Sequence, residues 1–99
     1  MRKITTISFL DHYKILCTFD NGEAKVLDLK EILKDKYAEK ILTPETFTKA
    51  QIGSLGEIYW ENMAEIKNLK GEIEPCNYDI SPDLAYQVST PDSTQLTSI

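Results

Sequence analysis

The chain has 99 residues, of which 41% are hydrophobic and 27% charged, and its formal net charge is −5. A chain of this length forms one domain and buries a single modest core without disulfide bonds or a structural metal. Its composition is that of a soluble globular protein, and it excludes a membrane-spanning helix because no apolar run approaches the roughly 18 residues needed.

The N-terminal sequence MRKITTISFLD contains no long apolar segment, so we expect no signal peptide and a cytoplasmic location. Residues 1–40 carry eight Lys or Arg and seven Asp or Glu, whereas residues 41–99 carry three and nine. Proteins usually meet nucleic-acid phosphates with clustered Lys and Arg, so we expect no direct contact with nucleic acid. The acidic half favours a small basic protein as a partner, with solubility as the simpler explanation of the charge.

The first forty residues predict an antiparallel meander of three strands. Lys3–Leu10 is rich in Ile, Thr and Phe, and Tyr13–Phe19 alternates between apolar and other side chains after a break at Asp11-His12. Asn21-Gly22 is a strong signal for a two-residue hairpin turn. Such a turn would place Phe19 opposite Ala24, Cys17 opposite Val26 and Leu16 opposite Leu27.

This register predicts which side chains face the core. The predicted core face consists of Tyr13, Ile15, Cys17, Phe19, Ala24 and Val26. It leaves an apolar patch on the other face, formed by Leu16, Leu27 and Leu29. We expect that patch to be covered either by a helix of the same chain or by a partner subunit.

Three segments carry the signals of helix starts. Asp28 and Glu31 fit a capping box, and the apolar spacing that follows predicts a helix over Leu29–Tyr37. A hydroxyl residue, a proline and an acid follow one another at Thr43-Pro44-Glu45 and again at Ser81-Pro82-Asp83. The first predicts a helix over Pro44–Ala50 that buries Phe47, and the second predicts a short C-terminal helix.

The only tryptophan lies in the segment Gly56-Glu57-Ile58-Tyr59-Trp60-Glu61-Asn62. Because neighbouring residues of a strand point to opposite faces, we expect Ile58 and Trp60 in the core and Tyr59 outside between two acids. Residues 62–80 fit two structures. Either the strand continues to Ile66, turns at Asn68–Gly71 and returns to Ile80, which we favour, or Asn62 caps a helix that ends at Gly71.

The sequence resembles a known family in the order and spacing of several segments. These are YKILCTFDNGEAKVLDLKEIL, Phe47 in a short helix, GEIYW, and YDISPDLAY. Together they resemble the domain-of-unknown-function family 2442 over about residues 5–88. The resemblance implies a small bacterial α+β domain, found alone or beside a helix-turn-helix domain and in some cases encoded next to another small protein, as in toxin–antitoxin pairs. It implies no activity and no catalytic residues, and it marks residues 61–77 as an insertion.

Motifs of catalysis or metal binding are scarce. The chain has one histidine and two distant cysteines, which do not suit a zinc site, and no nucleotide-binding or hydrolase motif occurs. We therefore expect a non-enzymatic protein-binding module without a cofactor, as the acidic member of a paired system or as a homo-oligomer. The alternative is an accessory component of a transcription regulator, and a small-molecule enzyme is third.

The predicted fold is a single α+β domain over residues 1–88, with short helices and an antiparallel sheet in which the Trp60 strand and its hairpin extend the three-stranded meander. Residues 89–99 are predicted to form a flexible tail. The predicted interaction surface lies on the acidic strand and hairpin. It consists of Glu57, Tyr59, Glu61, Tyr78 and Asp79.

Overall fold

The N-terminal segment forms the predicted meander in the computed structural model, which describes residues 2–91. Strand β1 spans Ile4–Leu10, β2 spans Lys14–Phe19 and β3 spans Ala24–Asp28. All three pair antiparallel in chain order. A later two-residue strand, β7 at Thr90–Pro91, extends this sheet by pairing with β3.

The register of the β2–β3 hairpin differs from the prediction by one residue. Ile15 lies opposite Leu27, Leu16 opposite Val26 and Cys17 opposite Lys25. The turn has three residues rather than two, because Phe19 N–H bonds to the Glu23 carbonyl and Gly22 N–H bonds to the Phe19 carbonyl. Of Asn21 and Gly22, only Gly22 has a positive φ, at 88°, whereas a two-residue turn of this kind needs a positive φ at both.

The shifted register changes which side chains meet the core. Leu27 joins Ile15 and Cys17 on the buried face, and Val26 and Ala24, which we predicted there, lie opposite Leu16 and Thr18 on the other face. Lys25 also falls on the core side. Its ammonium group donates to the Tyr86 carbonyl at 2.8 Å and lies 3.8 Å from the centre of the Tyr86 ring, so the buried stem ends on polar and aromatic partners.

The three predicted helices begin where the sequence predicts, but two of them end earlier. Helix α1 spans Leu29–Ile32 with Asp28 as its N-cap, and the chain forms a separate helix, α2, over Ala38–Ile41. Helix α3 spans Pro44–Phe47 with Thr43 as its N-cap, and α4 spans Pro82–Val88 with Ser81 as its N-cap. In the described part of the chain no helix could span a membrane.

The tryptophan segment belongs to a second antiparallel sheet rather than to an extension of the first. Its strands are β4 at Gln51–Ile52, β5 at Ile58–Lys67 and β6 at Ile73–Ile80, paired in that order. Residues 62–80 therefore form the hairpin, and the helical alternative is wrong. The predicted α+β fold class is confirmed.

Three hairpins of the molecule close with the same turn. In each, a glycine with positive φ occupies the third loop position and a glutamate follows it, at Gly22-Glu23, Gly56-Glu57 and Gly71-Glu72. In each, the residue before the loop donates its N–H to the carbonyl of that glutamate and accepts from the N–H of that glycine. This is a type I turn followed by a left-handed residue, in which glycine is favoured.

Both sheets contribute to one hydrophobic core. Trp60, Ile58 and Phe19 are almost completely buried, which confirms that the tryptophan is a structural anchor. Its indole N–H donates to the Phe47 carbonyl at 3.4 Å. The remaining buried hydrophobic residues are Ile4, Ile15, Cys17, Leu27, Leu29, Leu33, Ile41, Phe47, Ala50, Ile80 and Ala85.

The far half of the β5–β6 hairpin projects from the core. We call residues 64–76 the arm; none of them is buried, and the molecule measures 59 × 27 × 19 Å. A bulge in β5 separates the arm from the rest of the hairpin: three residues of β5 between Trp60 and Ala64 face one residue of β6. Within this bulge Asn62 has a φ of 57°. The segment marked as an insertion forms this arm and its base. The predicted tail begins with β7, and its residues 92–99 lie outside the described residues.

Candidate protein-interaction surface

The five residues of the predicted surface are divided between the two faces of the second sheet. Tyr59 lies opposite Asp79, and Trp60 lies opposite Tyr78. Because adjacent pairs project to opposite faces, Tyr59 and Asp79 lie on the outer face while Tyr78 lies on the core face beside Trp60. The sequence prediction was therefore wrong to place Tyr78 and Asp79, which are neighbours in the chain, on one surface.

The outer face carries a cleft lined by acidic and apolar residues. The cleft has a volume of about 250 Å³. Its carboxylates come from Glu57, Asp79 and Asp83, and its apolar lining comes from Leu55 and Pro82. Carboxylates around an apolar lining suit the long stem and charged end of a Lys or Arg side chain.

Local hydrogen bonds fix several groups of this face. One oxygen of the Glu57 carboxylate accepts from the Leu55 N–H at 3.0 Å, and the carboxylate lies so close over Gly53 that a Cβ at that position would displace it. The Tyr59 hydroxyl donates to the Gln51 side-chain oxygen at 3.2 Å. The Arg2 N–H donates to Asp83 at 2.7 Å. The cleft is thus built from two segments of the chain, around Glu57 and from Asp79 to Asp83, with Arg2 bound to Asp83.

Tyr78 ties the hairpin to the loop between α1 and α2. Its hydroxyl donates to the Asp35 carboxylate at 2.7 Å, and its ring meets Tyr37 edge-on at 5.6 Å and Trp60 at 6.3 Å. Burial raises the pKa of Tyr78, and the hydrogen bond to Asp35 and the negative charges of Asp35 and Asp79 raise it further. Tyr78 is thus a support for the arm, not part of an exposed surface.

Glu61 lies apart from the acidic cleft. It is exposed at the bulge and lines a different hollow of about 340 Å³, together with Lys49, Trp60 and Met63 among others. The bulge interrupts the alternation of β5 after Trp60, so the spacing that predicted a common surface for Tyr59 and Glu61 does not hold there.

The arm exposes large apolar side chains that sequence reasoning did not single out. Ile66 is 54% exposed, Ile73 is 68% exposed and Leu69 is fully exposed at the turn. The sequence did contain a signal for this exposure. If residues 62–80 form a hairpin, no further apolar segment remains to cover its side chains. Isolated exposed apolar residues are ordinary, whereas large contiguous apolar patches are typical of interaction sites.

The second predicted patch does not exist as a surface. Leu27 and Leu29 are completely buried in the core, and Leu16 is half-buried on the other face of β2. The shift of register by one residue explains this, because it moves every side chain of β3 to the opposite face. Neither a separate helix nor a partner subunit is needed to cover Leu27.

Within residues 2–91, no group of three or more His, Cys, Asp or Glu side chains is placed to hold a metal ion. His12 is exposed in the turn between β1 and β2 and has a φ of 62°. Both cysteines are free, Cys17 in the core and Cys76 half-buried in the arm.

Comparison with known proteins gives a family but no activity. No curated protein and no solved structure matches the chain. A family model described as "Protein of unknown function (DUF2442)" matches residues 4–84. This match covers β1 to β6 and the start of α4, so the chain belongs to the family of unknown function DUF2442.

Proposed function

We propose that the protein is a non-enzymatic binding module that recognises a small basic protein through its β5–β6 hairpin. The observation that carries this proposal is the exposure of Ile66, Leu69 and Ile73 on the arm, which adds no residue to the core. Holding such side chains in water is unfavourable, and covering them with a partner removes that cost.

The charge around the hairpin supports a basic partner. Glu65, Glu72 and Glu74 lie on the arm itself, and the cleft at the end of the hairpin away from its turn adds Glu57, Asp79 and Asp83. Opposite charge speeds encounter and selects partners, while the apolar side chains supply affinity. The expected setting is the bacterial cytoplasm, where free thiols such as Cys17 and Cys76 persist.

A co-purification experiment tests this proposal. The tagged chain would be isolated together with the product of the gene beside its own, and the complex would be measured by isothermal titration calorimetry at low and high salt. We expect a basic protein to bind with an affinity that falls as salt rises. A neighbouring product that does not bind, or that binds equally well to a variant lacking residues 62–76, would contradict the proposal.

A further inference from the structure

The arm exposes apolar side chains on both of its faces. Ile66 pairs with Glu74, and the next pair is Lys67 with Ile73. Because adjacent pairs project to opposite faces, Ile66 and Ile73 lie on opposite sides of the two-stranded ribbon. Leu69 extends the apolar surface to the tip. A flat partner would cover one of these faces and leave the other in water.

The Glu65–Pro75 pair hinders the addition of a further strand at both edges of the arm. The bond from the Asn68 N–H to the Glu72 carbonyl closes the turn. Hydrogen-bonded and non-hydrogen-bonded pairs alternate from there, so the Glu65–Pro75 pair directs its backbone groups outward. On the β5 edge the outward N–H of Glu65 donates to the Tyr37 hydroxyl at 3.3 Å, and on the β6 edge Pro75 has no N–H.

A strand that added to either edge would lose a backbone hydrogen bond at its middle. On the β5 edge it would have to displace Tyr37, and on the β6 edge it would face the imide nitrogen of Pro75. Proline and covered edges are the usual means by which proteins prevent strand addition. The arm is therefore unsuited to recognition through its backbone, and its side-chain faces remain.

Two side-chain hydrogen bonds tie the hairpin to the body of the molecule. Tyr37 holds the β5 edge, and Tyr78 holds β6 through its bond to Asp35. A rigid element loses less conformational entropy on binding than a flexible one. The charge of the arm and its base also selects among occupants: Glu61, Glu65, Glu72 and Glu74 outnumber Lys67 and Lys70. Because this segment has a net negative charge, two copies of it would repel each other, whereas a basic surface would attract it.

The geometry points to a partner with a cleft. We propose that the arm inserts between two apolar walls of a basic protein, so that Ile66 contacts one wall and Ile73 the other, with Lys and Arg at the rim. This inference rests on the proposed function and adds the mode of binding: through two side-chain faces, without strand addition.

Site-specific photo-crosslinking in the full chain tests the two-wall contact. The crosslinker p-benzoylphenylalanine would replace Ile66, Ile73 or, as a control on the body, Val88, which is 43% exposed on α4. The probe is the soluble extract of the native cell, and adducts would be identified by mass spectrometry. We expect Ile66 and Ile73 to label the same basic protein and Val88 to label none.

Affinity measurements with that purified protein complete the test. Ile66→Thr and Ile73→Thr keep the β-branched side chain that a strand prefers while removing apolar contact, and Val88→Thr is the matched control. We expect each arm variant to weaken binding at least about tenfold and the control to stay within about twofold. The variants Tyr37→Phe and Pro75→Val, which free an edge N–H, should not strengthen binding to the partner.

Each contrary result has a separate meaning. Adducts at Val88 alone would mean that the protein binds a partner through its body. They would contradict insertion of the arm into a cleft of that partner. Adducts from only one arm position would mean that the partner is flat, and adducts with another copy of this chain would mean self-association. In the affinity measurements, tighter binding by Pro75→Val would mean strand addition. Each of these results overturns the inference. A basic partner whose binding still requires residues 62–76 would leave the proposed function standing. No adduct at any position, together with failed co-purification, would overturn both proposals.

Discussion

At the residue scale, glycines that share a backbone conformation have different surroundings. Gly56 has a φ of 77°, and a Cβ there would lie 2.6 Å from the Lys3 Cβ and 2.7 Å from its Cα. Gly22 has a φ of 88°, and a Cβ there would meet nothing within 4 Å. Gly56 also accepts the Ile4 N–H at 3.0 Å through its carbonyl. The close approach at Gly56 joins the start of β1 to the second sheet.

This pair of glycines gives a matched prediction. Gly22→Ala should lower the free energy of unfolding by about 1 kcal/mol, because alanine is strained at positive φ. Gly56→Ala should lower it by about 3 kcal/mol, because the added methyl group also displaces the backbone of Lys3. Urea unfolding measures both. Equal effects of the two substitutions would mean that β1 does not pack against this turn.

The Cys17 thiol gives a prediction about pH. Burial raises the pKa of Cys17 from 9.0 to about 12. Above pH 9 the unfolded chain therefore releases this proton while the folded chain keeps it, and the free energy of unfolding falls between pH 9 and about 12. The fall should approach about 1.4 kcal/mol per pH unit.

Comparison of the wild type with Cys17→Ala isolates this contribution. The substitution lowers stability at pH 7 because it leaves a small cavity, and that cost does not depend on pH. The other titrating groups are common to both proteins, so the difference between their stabilities should shrink steadily above pH 9. Urea unfolding at a series of pH values measures this difference. A difference that stays constant up to pH 11 would mean that the thiol is ionised within the fold.

At the element scale, the sequence predicted where the helices start better than where they end. Asp28, Thr43 and Ser81 cap their helices through local hydrogen bonds, which depend only on nearby residues. The predicted helix over Leu29–Tyr37 ends at Ile32 instead. Tyr37 lies against the arm, with its hydroxyl on the Glu65 N–H, and such long-range contacts override a helical pattern.

The three hairpin turns show how the register of the β2–β3 hairpin could have been predicted correctly. Asn21-Gly22 suggested a two-residue loop, but the three turns share a glycine at the third position and a glutamate after it. Comparison of the three Gly-Glu pairs within the chain would have indicated a common three-residue loop and thus the observed pairing of Ile15 with Leu27. The error displaced Leu27 from the core in the prediction and produced a surface patch that does not exist.

The bond between Tyr78 and Asp35 gives a prediction for the element that supports the arm. A double-mutant cycle with Tyr78→Phe and Asp35→Ala should give a coupling of about 1 kcal/mol in the free energy of unfolding, because the two side chains share a 2.7 Å hydrogen bond. Asp35→Ala should also lower the pKa of Tyr78, since Asp35 raises it through both the bond and its charge. Ultraviolet titration of the tyrosines measures the second effect. Additive single substitutions would contradict a direct bond.

At the scale of the whole molecule, one core serves two sheets, and the arm lies outside it. The sequence predicted the fold class, the burial of Trp60 and the hairpin over residues 62–80, because each follows from alternation and turn residues. It did not predict the candidate site. Ile66 and Ile73 have the same local pattern as buried strand residues, and only the absence of an opposing layer leaves them exposed.

Removal of the arm tests this division of the molecule. Replacing residues 62–76 with Asn-Gly would connect Glu61 to Asn77 by a two-residue turn while keeping the pairs of Ile58 with Ile80 and Trp60 with Tyr78. We expect cooperative unfolding with a loss of about 1–2 kcal/mol, because the change removes the half-buried Met63 but no residue of the buried core. The same variant should no longer bind the partner.

Urea unfolding followed by Trp60 fluorescence, together with near-ultraviolet circular dichroism, measures the outcome, since Trp60 packs against Tyr78 at the base of the arm. A shortened chain that keeps these signals but loses binding would place recognition in the arm and stability in the two sheets. Loss of the native Trp60 signal would mean that the contacts of Tyr37 and Tyr78 with the hairpin hold the second sheet in place. The arm would then be a structural requirement of the fold rather than a separable binding element.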